Sequence, residues 1–170
     1  MFYRRLHTRK LLNRYRTAKD LRVLRLVAFR LTMTLRALWA PTAMGVAAAV
    51  EGDDGRVLLV RHRYAPGWRL PGGGVNRGEP PQAAVLRELA EEVGLAGGTA
   101  QFFGLYTSKA GWATSVVALY RIRGAAVNFR PNLEISEICF ADPRIPPEGC
   151  TPATLRRLKE LTGGEPSPYW

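Results

Sequence analysis

The stretch from Gly72 to Leu95 constrains the fold of this chain more than any other, because it joins a glycine-rich loop to a helix. Residues 72–79 contain four glycines and have no helical period. Residues 80–93 favour a helix that starts with prolines, which fit the first turn because its N–H groups have no partner. Gly94 follows, and glycine accepts the left-handed conformation that ends many helices. The sequence therefore predicts a loop leading into a helix with two defined ends.

The predicted helix carries three carboxylates on one face. At ~100° per residue, Glu91 and Glu92 fall within about 60° of Glu88, and Ala84 shares their face. The opposite, apolar face is predicted to be buried and consists of Leu86, Leu89, Ala90 and Val93. Like charges at these spacings destabilise a helix by a few tenths of a kcal/mol per pair. The face is therefore either a solvated surface or a site for Mg²⁺ or Mn²⁺, which take oxygen ligands. The adjoining glycine loop favours the metal site.

The spacing of these residues resembles the signature of the Nudix family. Gly73 is followed after five residues by Glu79, and seven residues later by the run Arg87-Glu88-Leu89-Ala90-Glu91-Glu92-Val93-Gly94-Leu95. Every fixed position of the signature is met, and the resemblance extends from about Pro41 to Phe140. The chain is similar to one subgroup in particular. Members of that subgroup have a basic, Leu-rich leader, and in them a strand ending in Arg-His is followed by Pro-Gly-Trp and then by Pro-Gly-Gly-Gly. The resemblance implies an α/β/α sandwich with a mixed sheet.

The same resemblance implies an enzyme, a Nudix pyrophosphohydrolase that uses Mg²⁺ or Mn²⁺. Its substrate would be a nucleoside diphosphate linked to another group, such as a sugar nucleotide or ADP-ribose. By position, it implies a set of metal ligands: Glu88, Glu91, Glu92 and the carbonyl of Gly72. Arg87 would orient these carboxylates and Glu79 would hold the loop, although a purely structural role is equally open for both.

A later acidic residue often completes the metal site of the family or serves as its general base. The spacing to Phe140 makes Glu134 the candidate, with Glu137 as the alternative and a surface salt bridge as the other interpretation of either. The base stays open among Glu88, Glu92 and Glu134. Asn76 stands where many members carry Glu, a change that could alter the number of metal ions or the metal preference.

Substrate contacts are expected from basic and aromatic residues near the signature. Three arginines that precede it could reach phosphates: Arg61, Arg63 and Arg69. Three aromatic residues could stack a base, although such residues are more often in the core: Trp68, Tyr106 and Trp112. In this family, residues downstream of the signature distinguish the hydrolases of ADP-ribose and those of dinucleoside polyphosphates. This chain has neither of the two distinguishing residues at those positions, so a generic nucleotide substrate is predicted.

The net charge of +11 is concentrated in residues 1–40, which hold eleven Lys and Arg against Asp20. Residues 41–170 are nearly balanced, with fourteen basic and thirteen acidic residues. We therefore predict a basic amphipathic helical extension over residues 1–40 and a Nudix hydrolase domain over residues 41–170. Arginines interrupt the apolar stretch 21–39, so it has neither the ~20 apolar residues of a membrane span nor the form of a cleaved signal.

The extension has three interpretations, in descending order. It packs on its own domain or on the second subunit of a homodimer, it lies on an anionic membrane surface, or it contacts RNA phosphates.

The alternatives for function are removal of pyrophosphate from RNA 5′ ends and a non-catalytic nucleotide-sensing module; the intact Glu set argues against the module. Cys139 and Cys150 have no metal or redox spacing, so we expect free thiols in a cytoplasmic protein. The basic extension would let this protein associate peripherally with a membrane.

Apolar runs and turn residues predict the remaining elements. Strands are expected over residues 44–50, 56–62, 101–108, 114–123 and 134–140. A final helix is expected to begin at Thr151 and to end before Gly163. Its buried stripe would consist of Leu155, Leu158 and Leu161.

Overall fold

The computed structural model describes residues 23–24, 27–35, 42–111 and 113–170. The chain divides into two units, Met1–Pro41 and Thr42–Trp170. In the first unit, the described residues are helical and exposed. The other residues of the predicted extension lie outside the described part, so the extension as a whole stays a prediction. No helix in the described ranges is long and apolar enough to cross a membrane.

The described part of the second unit contains six strands and two helices. The strands are β1 (Thr42–Val50), β2 (Val57–His62), β3 (Trp68–Arg69), β4 (Leu95–Ala110), β5 (Ala113–Val127) and β6 (Ile135–Ala141). The helices are α1 (Pro81–Val93) and α2 (Pro152–Leu161). All elements predicted for this second unit are present, β4 and β5 are longer than predicted, and the two-residue strand β3 was not predicted.

The strands form two three-stranded sheets. The first has the order β1-β5-β4, in which β1 is parallel and β4 antiparallel to β5. The second has the order β3-β2-β6 and is antiparallel. The predicted mixed sheet is therefore confirmed, and it is divided between two sheets that share the core.

Alternation along β1 and β2 creates two apolar layers. Val46, Ala48 and Val50 join one buried cluster with the α1 residues Val85 and Leu89. Ala47, Ala49 and Leu59 join a second cluster with Leu158 of α2. Because successive side chains of a strand point to opposite faces, the two helices cover opposite sides of the strands. This arrangement is the predicted α/β/α sandwich.

Three predictions about helix faces are wrong. Ala84 is fully buried and not on an open acidic face, whereas Ala90 is exposed. The reason is that α1 packs against β1, β4, β5 and β6, so its buried arc is turned toward Glu92. On α2, Leu155 was predicted to be buried but is 43% exposed, whereas Arg157 is fully buried.

Candidate active site

The glycine loop lies along the edge of β1 that is not occupied by β5. Val46 N–H donates to the Gly73 carbonyl and Ala48 N–H to the Pro71 carbonyl, each at 2.9 Å. Gly72 has φ +145, and a Cβ there would lie 2.2 Å from the Val46 carbonyl oxygen. Only glycine fits this close approach, so the loop is fixed against the sheet.

Two helix carboxylates are held against this loop. The Gly72 N–H donates to Glu92 Oε2 at 2.9 Å. A Cβ on Gly73 would lie 2.4 Å from Glu88 Oε2, so the Glu88 carboxylate packs directly on the loop backbone. Glu92 is 4% exposed and the Glu91 side chain is 62% exposed. The three carboxylates thus occupy different environments although they share one helix.

Arg87 connects the helix carboxylates to the loop. Its Nε and Nη2 donate to the two oxygens of Glu79 at 2.8 and 2.9 Å. Its Nη1 donates to Glu88 Oε1 at 2.9 Å and to Glu91 Oε2 at 3.3 Å. Glu79 also accepts from the Asn76 N–H at 2.9 Å. The hydrogen bonds from Arg87 hold the pKa of Glu79 at about 2, so this carboxylate is ionised at neutral pH.

Glu92 has the opposite electrostatic environment. Burial raises its pKa to about 7, the Gly72 N–H opposes that shift, and the charges of Glu88, Glu134 and Glu91 add to it. Glu134 is therefore close enough to the helix carboxylates to act on Glu92, although it is exposed itself. A carboxyl group of this kind exchanges a proton near neutral pH.

Asn132, for which no role is predicted, holds the segment that carries Glu134. Its Oδ1 accepts from the N–H groups of Glu134 and Ile135 at 3.0 and 2.7 Å. Its Nδ2 donates to the Glu92 carbonyl at 3.0 Å. The one signal in the sequence is the tendency of Asn to bond the backbone two residues on. Its link to α1 joins residues distant in sequence and has no local signature.

The three arginines predicted to contact substrate lie in different places. Arg61 Nη1 pairs with Glu137 at 3.2 Å, and the Arg61 guanidinium lies 4.4 Å from the centre of the Trp68 ring. Arg63 donates to the Asn132 carbonyl at 2.7 Å. Arg69 lines a cavity of about 290 Å³ beside the glycine loop, and its buried Nε has no hydrogen-bond partner among the described residues.

That cavity connects the loop to the C-terminal part of the chain. Its lining combines the middle of β1, the segment from the end of β2 to the glycine loop, the start of β5, the start of α2 and Trp170: Gly45, Val46, Ala47, His62, Tyr64, Arg69, Leu70, Gly72, Gly73, Ser115, Val117, Thr151, Ala153, Thr154 and Trp170. Of the predicted stacking residues, Trp68 and Tyr106 are 8% and 4% exposed and belong to the core. Trp112 lies outside the described residues.

The donor set has the chemistry of a site for a hard divalent cation, although within the described ranges no three His, Cys, Asp or Glu side chains converge on one point. Two of the carboxylates share the Nη1 of Arg87. Each hydrogen-bonded carboxylate of Glu88, Glu91 and Glu92 uses one oxygen in these bonds, and its other oxygen makes no hydrogen bond within the described part of the chain.

A sandwich in which a glycine loop meets a Glu-rich helix beside a cavity defines the Nudix class of fold. The family model for the NUDIX domain matches residues 41–161, and the chain belongs to this family. A MutT NUDIX hydrolase from Burkholderia pseudomallei has a similar crystal structure, with a TM-score of 0.62 and 28% identity over 69% of this chain and 96% of that one. Family membership confirms the predicted fold and the predicted family.

Two relatives illustrate how far the similarity extends. A MutT-like protein from Streptomyces ambofaciens is 29% identical over 126 residues, which are 73% of this chain and 80% of that protein. An RNA pyrophosphohydrolase from Gluconobacter oxydans is 41% identical over 56 residues, 32% of this chain. The chain spans only 33% of the length of that second relative.

Proposed function

We propose that this chain hydrolyses the pyrophosphate bond of a nucleoside diphosphate linked to another group, such as a sugar nucleotide or ADP-ribose, with Mg²⁺ or Mn²⁺. One observation carries the proposal: the carboxylates of α1 meet the glycine loop beside a cavity that Arg69 also lines. Cleavage of a pyrophosphate requires charge neutralisation next to a binding cavity. Residues 41–170 have almost no net charge, so the acidic cluster at the loop is not part of a generally acidic surface.

The proposed metal ligands are oxygen donors from the loop, α1 and the segment before β6: Glu88, Glu91, Glu92, Glu134 and the Gly72 carbonyl. When bound, a divalent cation neutralises phosphate charge and lowers the pKa of water. Burial is the main cause of the raised pKa of Glu92, and the charges of Glu88, Glu134 and Glu91 add to it. A cation would relieve this repulsion, which supports the assignment.

The protein's own residues have separate proposed roles. Arg69 binds a phosphate oxygen, since its buried Nε lacks a partner in the described part of the chain and the residue lines the cavity. Arg87 holds Glu88 and Glu91 in position. The proton of the attacking water is accepted by one of Glu88, Glu92 and Glu134. Further substrate contacts are proposed for Arg61, Arg63 and Trp112.

A substrate panel tests the proposal. The parent protein is incubated with sugar nucleotides, ADP-ribose, dinucleoside polyphosphates and nucleoside triphosphates, with Mg²⁺ or Mn²⁺, and release of nucleoside monophosphate is measured. We expect Glu92→Gln to lose at least ~100-fold in kcat while it stays folded, because its charge would be missing from the metal site. The matched control is Glu148→Gln, which removes an exposed carboxylate elsewhere. If the parent cleaves nothing in the panel with either ion, the proposal is wrong.

Similarity to RNA pyrophosphohydrolases favours a second candidate, removal of pyrophosphate from the 5′ end of RNA. The matched segment covers 32% of this chain. Triphosphorylated RNA therefore belongs in the panel. A kcat/KM for RNA well above that for every nucleotide would make RNA the substrate. Tight nucleotide binding without any cleavage would instead indicate the nucleotide-sensing module.

We also propose that residues 1–40 contact an anionic membrane surface. The described helical residues expose large apolar side chains, among them Val27, Phe29 and Leu31 at 58%, 61% and 59%. The segment also carries a net charge of +10 in sequence. Apolar side chains next to basic ones suit an anionic interface, where each basic residue contributes ~1 kcal/mol.

Vesicle flotation separates this proposal from dimer formation. The full chain is expected to float with vesicles that contain anionic lipid and to stay behind with zwitterionic vesicles, whereas a chain lacking residues 1–40 should float with neither. Equal flotation with and without the segment contradicts the proposal. Light scattering after gel filtration shows whether the same segment instead joins two subunits into a homodimer.

A further inference from the structure

We propose that Trp170 is the side chain on which the nucleobase of the substrate stacks; this assignment rests on the proposed action on nucleotides. Trp170 lines the same cavity as Gly72, Gly73 and Arg69. It is partly exposed, so part of its surface is open to a ligand. A nucleotide bound with its phosphates at the glycine loop would therefore extend toward an aromatic side chain within one continuous cavity.

Trp170 is held in place before any ligand binds. Its N–H donates to the Thr107 carbonyl at 2.9 Å, and its carbonyl oxygen accepts from the Arg156 guanidinium. Its ring centre lies 5.8 Å from that of Tyr106 and 5.6 Å from the Arg157 guanidinium. A rigid aromatic side chain loses little conformational entropy when a ligand stacks on it.

Other aromatic residues near the site are less suited to this role. Trp68 and Tyr106 are buried, and the Tyr106 hydroxyl donates to Glu160 at 2.8 Å. Tyr64 lines the cavity, but it is 74% exposed, and the N–H of the preceding residue, Arg63, donates to the Glu134 carbonyl at 2.9 Å. Tyr64 therefore lies on the side of the cavity that is next to Glu134, whereas Trp170 packs against Tyr106 and Arg157.

Two hydroxyls that line the cavity, those of Thr151 and Thr154, offer little for recognition of the edge of a base. The Thr151 and Thr154 hydroxyls bond to each other at 2.9 Å, and Thr154 Oγ1 also donates to the Trp68 carbonyl at 3.1 Å. These hydroxyls are already engaged within the protein. Stacking tolerates all bases because each has a π face. We therefore expect purine nucleotides to be accepted with little discrimination between adenine and guanine.

Equilibrium binding tests the assignment without requiring turnover. AMP and ribose 5-phosphate are titrated into the full chain by calorimetry with Mg²⁺ present. We expect Trp170→Ala to weaken AMP binding by about tenfold and to leave ribose 5-phosphate unchanged, because only AMP has a base to stack. Trp170→Phe should recover most of the affinity, whereas Trp170→Leu, which fills space without a π face, should not. Tyr169→Ala is the matched control, since Tyr169 is 67% exposed and does not line the cavity.

Several results would overturn the assignment. They are an unchanged AMP affinity in folded Trp170→Ala or Trp170→Leu, an equal loss for both ligands, and a parent that does not bind AMP. Failure of the proposed hydrolysis gives a different result, in which the parent and its variants bind AMP as expected while no panel substrate is cleaved.

Discussion

Replacing Glu92 by Gln tests the electrostatics of the site through stability. Glu92 is buried, and its pKa of about 7 lies above the usual 4.5. Between these two pH values the folded protein retains a proton that the unfolded chain has released. The free energy of unfolding therefore falls as the pH rises. The contribution of Glu92 to stability is complete below pH 4.5 and is lost once the pH passes about 7.

The size of this effect follows from the difference between the two pKa values. A difference of about 2.5 corresponds to about 3 kcal/mol, since one pKa unit is worth ~1.4 kcal/mol. Gln has almost the same shape as Glu and can accept the hydrogen bond from Gly72 without a charge. We therefore expect Glu92→Gln to be more stable than the parent at pH 8 by up to about 3 kcal/mol, and nearly equal to it at pH 4.5.

Urea unfolding of metal-free protein at several pH values measures the difference. Chelator-treated buffers are needed, because a bound cation would stabilise the ionised carboxylate of the parent. Glu91→Gln is the control, since Glu91 is largely exposed and its replacement should leave most of the pH dependence in place. The reasoning is refuted if parent and Glu92→Gln lose stability equally between pH 4.5 and 8.

Two further changes test the packing around the site. Gly72→Ala should destabilise the protein by at least ~3 kcal/mol in urea, because its Cβ would meet the Val46 carbonyl at a positive φ. Gly78→Ala, also at positive φ but in open space, should lose only ~1 kcal/mol, and equal losses would contradict the argument. Glu160→Gln should lower the free energy of unfolding by ~3–5 kcal/mol, because the buried Arg157 would lose its ion pair at 2.7 Å. Glu165→Gln is the exposed control, and a loss below ~1 kcal/mol at Glu160 would argue against the buried pair.

Local patterns in the sequence were sufficient to predict the loop and helix of the site. Gly94 adopts φ +63 at the end of α1, as a C-terminal glycine should. The contacts among Glu79, Arg87 and Glu88 could be predicted because these residues lie close together in the sequence, on one loop and the helix that follows it. Strands β1 and β2 were readable because apolar runs between turn residues mark buried strands.

Features that depend on distant residues could not be predicted. Arg157 is buried because Tyr106, Glu160 and the segment around Ser167 form a polar network with it. A helical wheel assigns Arg to the solvent, since it contains none of these partners. Trp170 presents the same difficulty, because its place in the cavity depends on its pairing with β4 and on its bond to Arg156. In both cases residues near the C-terminal end contact strand residues that are distant in the sequence.

The charge balance of the site explains why a cation suits it. Arg87 contacts Glu79, Glu88 and Glu91, but in the described part of the chain Glu92 has no guanidinium partner. Burial raises the pKa of Glu92, and the charges of Glu88, Glu134 and Glu91 add to the shift. A proton near neutral pH therefore supplies the positive charge that the protein does not. A divalent ion bound at the same carboxylate would displace that proton, so the two compete for Glu92. The basic charge of residues 1–40 belongs to another unit and is no evidence for RNA as the substrate.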